Sequence, residues 1–159
     1  MSSGASPGSE TVSAIVFDTS IYITALRHGE EFVLRSRRAA RRGETTAMPL
    51  WLSAVVLEEL LVGASDRKAR QALRRLEREF ESINRLLVPN LTDWSVTGTV
   101  LNQFGARFGF ESVAKSRLTN DALIAMSAAR HGLTIQTTNA RDFGRLAEIR
   151  RFQWEEISI

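Results

Sequence analysis

Ile15-Val16-Phe17-Asp18-Thr19-Ser20 joins a short apolar run to an acid and two hydroxyl side chains. An apolar run of this length that ends abruptly is typical of a buried strand of a parallel sheet followed by a turn. The residues that follow carry apolar side chains at helical spacing, so we predict a helix over Thr19–Arg27. A strand followed directly by a helix is a unit from which α/β folds are built, and here Asp18 lies between the two.

The rest of the chain repeats this alternation of strands and helices. Further strands are predicted over 48–52, 86–88 and 133–137, with a fifth from 151–159. Further helices are predicted over 30–42, 54–62 (with Ser53 as N-cap), 66–84, 92–108 and from Thr119 or Asn120 to Arg130. Such alternation predicts a parallel sheet covered on both faces. We therefore expect an α/β fold, a three-layer α/β/α sandwich with a central, mostly parallel sheet of four to five strands.

Length and composition are those of one globular domain. Among the 159 residues, 1–12 are small and polar and predict a flexible N-terminal tail before a single domain over 13–159. The absence of cysteine excludes disulfides, thiolate metal sites and cysteine nucleophiles. No apolar run reaches the roughly 18 residues of a membrane-spanning helix, and the first residues do not form a secretory signal. We expect a cytoplasmic protein with no membrane partner.

The basic residues are almost all arginine. Of 21 Lys and Arg residues, only Lys68 and Lys115 are lysine, and the formal net charge is +3. The planar fork of arginine suits phosphate recognition, which favours a nucleic-acid partner. A genome rich in G and C produces the same bias, and composition alone leaves both explanations open.

Acids are found where the predicted strands end. Asp18 follows the first strand, Asn139 and Asp142 follow the fourth, and Asp121 lies at the start of the last predicted helix. In parallel sheets the active site lies beyond the carboxyl ends of the strands. Taken singly, each acid is also compatible with a helix cap or with the helix dipole.

Glu58 and Glu59 lie within an otherwise apolar helix. Because an unpaired buried carboxylate is costly, this pair indicates a bound cation. The two glutamates lie equally far from the mean direction of the neighbouring apolar side chains, so helical periodicity does not choose between them. Several carboxylates without cysteine favour Mg²⁺ or Mn²⁺, which lower the pKa of a bound water and stabilise charge on a phosphodiester.

Four blocks of the chain resemble the motifs of PIN domains, in the order in which that family has them. They are the hydrophobic-Asp-Thr-Ser opening at 15–20, the Ser-led helix with Glu-Leu and a later Gly at 53–63, Asn-Asp-Ala-Leu-Ile-Ala at 120–125, and the segment 137–143. Together they extend over nearly the whole predicted domain. The compact length is similar to that of the VapC-type toxins of bacterial toxin–antitoxin modules.

The resemblance implies a toxin that is a metal-dependent endoribonuclease and blocks translation by cutting transfer or ribosomal RNA. The metal ligands implied are Asp18, Glu59 and Asp121, with Asp142 as a further catalytic acid. Glu59 matches the family pattern because it directly precedes Leu60. The supporting side chains implied around the ligands are Thr19, Ser20, Thr137 and Asn139, the last at a position where many PIN domains have aspartate. The resemblance further implies a homodimer and a cognate antitoxin, in a heterotetramer or larger complex.

Two alternatives remain open from the sequence: a PIN nuclease that processes RNA outside toxin biology, and a non-catalytic PIN-like module that binds RNA or protein. Two basic runs bear on RNA binding. We interpret the first as an RNA-backbone surface, formed by Arg35, Arg38, Arg41 and Arg42. We interpret the second, over 67–78, as a solvated face, because Glu77, Glu79 and Glu81 lie in or beside it.

Overall fold

The computed structural model describes residues 14–27 and 49–158. Its strands are β1 (Ile15–Phe17), β2 (Leu50–Ser53), β3 (Leu86–Leu87), β4 (Thr134–Thr137) and β5 (Trp154–Glu156). The helices within these ranges are α1 (Thr19–Arg27), α2 (Ala54–Gly63), α3 (Arg67–Ser82), α4 (Leu91–Phe108), α5 (Phe110–Val113), α6 (Ser116–Arg130) and α7 (Ala140–Ile149). The predicted tail over 1–12 and the predicted helix over 30–42 lie outside the described residues.

The strands form one parallel sheet in the order β3-β2-β1-β4-β5. Ile15 of the central strand lies beside Leu50 of β2 and Thr134 of β4. Successive side chains of a strand point to opposite faces, and all three residues of β1 are buried. Both faces of the sheet are therefore covered, which confirms the three-layer α/β/α sandwich with five strands. No helix among the described residues is long and apolar enough to cross a membrane.

Side-chain caps define where three of the helices begin. Ser53 and Asp66 accept hydrogen bonds from backbone N–H groups of the first turns of α2 and α3, as predicted. Asn90 forms a capping box with Asp93 at the start of α4. These caps satisfy backbone donors that the helices leave without partners. They also explain why α2 begins directly at the end of β2.

The helix that carries Asp121 begins earlier than predicted. We expected a start at Thr119 or Asn120, whereas α6 begins at Ser116 after the extended residue Lys115. Leu118 is buried and joins the helix to the core. Asp121 therefore lies in the second turn of α6, where the dipole of the helix terminus does not account for it.

Two helices were not predicted, α5 and α7. The turn before α5 depends on Gly109, whose φ of +101° favours glycine. This turn lays the Phe110 ring on Gly105, where a Cβ atom would collide with the ring. The bounds of the other predicted elements differ from the observed ones by a few residues.

An ion pair between a buried carboxylate and a partly exposed guanidinium joins the beginning of α4 to the end of α6. Arg130 contacts both carboxylate oxygens of Asp93, at 2.9–3.0 Å. The Asp93 side chain is only 3% exposed, and it also accepts the backbone N–H of Asn90. The pair therefore compensates a charge that would otherwise be buried alone.

Replacing Arg130 by Gln should lower the free energy of unfolding by about 2 kcal/mol, because the buried Asp93 carboxylate loses its partly exposed cation. Urea denaturation of both proteins measures this loss. The matched control is Glu148→Gln, which removes the exposed Arg107–Glu148 pair and should change the free energy by no more than about 0.5 kcal/mol. Equal losses in the two variants would contradict a structural role for the Arg130–Asp93 pair.

Candidate metal centre at the carboxyl edge of the sheet

The Asp18 side chain lies at the carboxyl ends of the two neighbouring strands β1 and β4. The register of these strands pairs Phe17 with Gln136, so Asp18 and Thr137 follow side by side. The Thr137 hydroxyl donates a hydrogen bond of 2.8 Å to Oδ2 of Asp18. The backbone N–H of Asp18 donates to the carbonyl of Gln136 at 3.1 Å. One end of the carboxylate is therefore held by the adjacent strand.

The other carboxylate oxygen of Asp18 faces the start of α1. Oδ1 accepts hydrogen bonds from the backbone N–H and from the hydroxyl of Ser20. Burial raises the pKa of the Asp18 carboxyl, and the hydrogen bonds from Ser20 and Thr137 partly oppose this rise. Asp18 thus caps α1, which agrees with the interpretation of this acid as a helix cap. It also presents a fixed, buried carboxylate at the edge of the sheet.

The structure separates the two glutamates of α2. Glu58 is exposed and lines a groove between α2 and α3. Glu59 is partly buried, and its Oε1 accepts a hydrogen bond of 3.0 Å from the Thr19 hydroxyl. Burial raises the pKa of Glu59, and this hydrogen bond opposes the rise. Glu59 is therefore the glutamate that lies near Asp18.

Asp121 lies on the α6 side of the same cluster and is only 5% exposed. Its Oδ2 is buried and has no hydrogen-bond partner among the described residues. Burial, together with the nearby charges of Asp18, Glu59 and Asp142, raises the pKa of Asp121 to about 8, and the charge of Arg117 partly opposes this rise. A carboxylate oxygen in this position lacks the compensation that a buried charge requires.

Asp142 joins the cluster from the first turn of α7. The side-chain amide of Asn139 is 3.4 Å from its Oδ2, and the backbone N–H of Asn139 donates to the Thr137 hydroxyl at 2.9 Å. The backbone N–H of Thr138 donates to the Ser20 hydroxyl at 3.1 Å. The segment after β4 is thus joined to the Asp18 network, with Asn139 directed at Asp142.

Arg117 is the site residue that the sequence analysis missed. It lies on the first turn of α6, four residues before Asp121, and its charge lowers the pKa of both Asp121 and Glu59. Among the described residues Arg117 makes no ion pair within 4 Å. Its position four residues before Asp121 would place the two side chains on the same face of a helix. The predicted start of α6 at Thr119 or Asn120, however, left Arg117 outside the helix.

The acids fit a hard cation that keeps part of its water shell. Among the described residues, no three carboxylate or imidazole side chains lie close enough to ligate one ion as they stand. Mg²⁺ normally binds through one or two carboxylates and retains several waters. The unpartnered Oδ2 of Asp121 and the raised pKa values of three neighbouring acids are the features that a divalent cation would compensate. The predicted RNA contacts Arg35, Arg38, Arg41 and Arg42 lie outside the described residues.

The metal-free protein should lose stability as the pH rises between about pH 5 and pH 8. The unfolded chain releases the Asp121 proton near the ordinary value of 3.8, whereas the folded protein keeps it up to about pH 8. The folded state therefore binds more protons in this range, so its free energy of unfolding falls with rising pH.

Urea denaturation in EDTA at several pH values measures this slope. Asp121→Asn should flatten it and should be more stable than the wild type near pH 8. A parallel slope in both proteins would show that Asp121 is not the group responsible.

The fold is similar to those of solved toxin–antitoxin complexes named VapBC. The DNA-bound VapBC of Salmonella typhimurium has a TM-score of 0.60 and 23% identity, over 91% of this chain and 98% of that chain. VapBC2 of Rickettsia felis, bound to a promoter DNA fragment, has a TM-score of 0.59 and 19% identity, over 91% of this chain and 99% of that chain. VapBC-1 of nontypeable Haemophilus influenzae has a TM-score of 0.58 and 20% identity, over 90% of this chain and 97% of that chain. At these identities the likeness concerns the fold.

No curated protein sequence matches the chain. The family model of the PIN domain matches residues 15–149, which include every acid of the cluster described above. The chain belongs to the PIN domain family.

Proposed function

We propose that this protein is the toxin of a type II toxin–antitoxin system, a VapC-type endoribonuclease that depends on Mg²⁺ or Mn²⁺. The observation that carries the proposal is the cluster of Asp18, Glu59, Asp121 and Asp142 at the carboxyl edge of a PIN fold, with one buried oxygen of Asp121 left without a partner. PIN domains are generally nucleases, which supports a hydrolase acting on phosphodiester bonds. The VapBC structures of similar fold support the toxin assignment.

In the proposed site, Asp18, Glu59 and Asp121 would hold the cation, directly or through the waters that it retains. When bound, the cation supplies a water of lowered pKa and neutralises charge on the phosphate. Thr19 and Thr137 orient the Glu59 and Asp18 carboxylates through the hydrogen bonds described above. Such hydroxyl partners fix the direction in which a metal ligand points.

The remaining residues of the cluster act on the water and on the substrate. Asp142, with Asn139 beside it, accepts a proton from the attacking water or holds that water in place. Arg117 offers its guanidinium to a phosphate oxygen, since it lies near the acids without an ion pair among the described residues. Hydrolysis adds the water across a P–O bond, so one fragment ends in a phosphate and the other in a hydroxyl group.

The proposal includes the partners of such a toxin. The substrate is transfer or ribosomal RNA in the cytoplasm. A cognate antitoxin binds the toxin and keeps it inactive. The similar structures are complexes named VapBC, which supports an antitoxin partner for this chain. We extend the proposal to a homodimer, assembled with the antitoxin into a heterotetramer or larger complex.

Antitoxin-free protein should cut total transfer and ribosomal RNA into discrete fragments with Mg²⁺ or Mn²⁺ and should be inactive in EDTA. Asp18→Asn, Glu59→Gln and Asp121→Asn should each lower the cleavage rate by about 100-fold or more, because each removes a ligand charge. Gel analysis of the RNA products measures the rates.

Glu58→Gln is the matched control for Glu59→Gln, since it removes the same charge from the adjacent, exposed position. It should retain the wild-type cleavage rate. Cleavage that persists in all three site variants would contradict the proposed site. An intact protein that binds no metal and cuts no RNA would favour the non-catalytic module.

Metal binding has a readout that does not depend on activity. At metal concentrations about 100 times Kd, linkage stabilises the folded state by about 2.7 kcal/mol, which raises Tm by about 5 °C or more. Wild-type protein near pH 7.5 should show this shift with Mn²⁺, and Asp121→Asn should show a much smaller one. Equal shifts in the two proteins, measured by differential scanning fluorimetry, would place the cation elsewhere.

A further inference from the structure

The outward face of α3 is mainly basic over residues 67–78. Its apolar side chains, including the buried Leu73 and Phe80, lie on one side of the helix. On the opposite side is a shallow groove lined by Arg67, Arg70, Gln71, Arg74, Arg75 and Arg78. We call these six residues the α3 stripe. At 1.5 Å per residue it extends for about 16 Å along the helix.

Two of the three acids of this helix lie beside the stripe, and the third follows its carboxyl end. At 100° per residue, Glu77 and Glu79 lie on the two flanks between the apolar side and the stripe, whereas Glu81 lies on the same side as the stripe, beyond its last residue Arg78. Glu77 pairs with Arg74 at 3.1 Å. Among the described residues, Arg75 and Arg78 make neither an ion pair nor a side-chain hydrogen bond. The arginines of the stripe are exposed, which agrees with the sequence interpretation of a solvated face.

The stability of α3 itself does not account for the stripe. The first turn of a helix favours acids, yet the N-terminal part of α3 carries Arg67, Lys68 and Arg70 and has no acid in its first turn. Arg70, Arg74 and Arg78 follow one another at intervals of four residues, a spacing at which like charges destabilise a helix. A polyanion bound along the stripe would remove both sources of repulsion.

We propose that the α3 stripe binds the sugar–phosphate backbone of the RNA substrate outside the acidic cluster. This inference rests on the proposed function for the identity of the polyanion. Arginine forks bind phosphate oxygens in pairs, and here Arg70, Arg74 and Arg78 follow a line at roughly one per helical turn. The stripe contains no apolar side chain, whereas protein partners are usually anchored by buried aromatic or aliphatic groups. Backbone contacts of this kind add affinity without reading sequence.

The location of α3 suits an extension of the substrate-binding surface. α3 packs against α2, the helix that carries Glu59. The groove between these helices is lined by Glu58 and by Arg74 of the stripe. An RNA that enters the acidic cluster would therefore meet the stripe one helix away.

The test compares two double variants with equal loss of charge in the full-length Asp121→Asn protein, which keeps the RNA intact. Arg75→Gln/Arg78→Gln removes two cations of the stripe. Arg150→Gln/Arg151→Gln removes two exposed cations before β5, at the amino end of the strands and away from the acids. Glutamine is a good helix former, so the stripe variant should fold, and circular dichroism checks this.

Fluorescence anisotropy with labelled transfer RNA, between about 50 and 200 mM salt, measures the affinities. The stripe variant should bind about tenfold more weakly. Its slope of log affinity against log salt should be smaller by about 1.4, since each lost contact with a single strand removes about 0.7. The control variant should bind like its parent. Equal affinities in all three proteins, or equal losses in both variants, would overturn the proposal.

Cleavage assays in the wild-type background separate this inference from the proposed nuclease activity. The stripe variant should raise KM and leave kcat unchanged, because its residues do not touch the reacting phosphate. If neither the wild type nor the variants cut RNA, but the stripe variant binds RNA more weakly than its parent and the control variant, the nuclease proposal fails and the stripe assignment stands. If cleavage occurs with an unchanged KM and salt slope, the stripe assignment fails and the nuclease proposal stands.

Discussion

The buried Asp18 carboxylate is the constraint on which the arrangement of the site depends. It ends the central strand, caps α1 and accepts the Thr137 hydroxyl at the end of β4. A carboxylate so deep in the protein is tolerable because each oxygen has a donor. The same contacts orient the surrounding segments: α1 brings Thr19 to Glu59, and the turn after β4 brings Asn139 toward Asp142. A group that supports the fold locally is therefore also the group that sets the geometry of the acids.

Much of the fold could be predicted from the sequence because its signals are local. Short apolar runs marked the strands, and Ser53 and Asp66 marked helix starts that the structure confirms. The start of α6 could not be predicted in this way, because no side chain caps it and the burial of Leu118 is a tertiary effect. The turn into α5 likewise depends on the contact between Phe110 and Gly105, which involves the packing of two elements and leaves no periodic pattern in the sequence.

The acids of the candidate site could be predicted from the sequence, but Arg117 and the arrangement of the side chains could not. Helical periodicity describes a helix by its own apolar face, so it could not separate Glu58 from Glu59; the Thr19 hydroxyl from another helix does. Arg117 became visible only once α6 was seen to begin one turn earlier. For α3, the order of charges along the sequence mixes acids with arginines, whereas their angles around the helix place Glu77 and Glu79 beside the arginine-lined groove. In each case the missing information was the direction of a side chain relative to a neighbouring element.

The strand order has a consequence for how the protein is made. β1 is synthesised first but lies between β2 and β4, and the hydrogen bond from Thr137 to Asp18 closes a loop across 119 residues. Chains emerge from the ribosome amino end first. Asp18 therefore lacks the hydrogen bond from the Thr137 hydroxyl until most of the polypeptide has been synthesised. Asp121 and Asp142 also come from the final third of the chain. A nascent chain therefore carries its first acid long before it can assemble the cluster, and a ribosome that stalls midway would display an incomplete site.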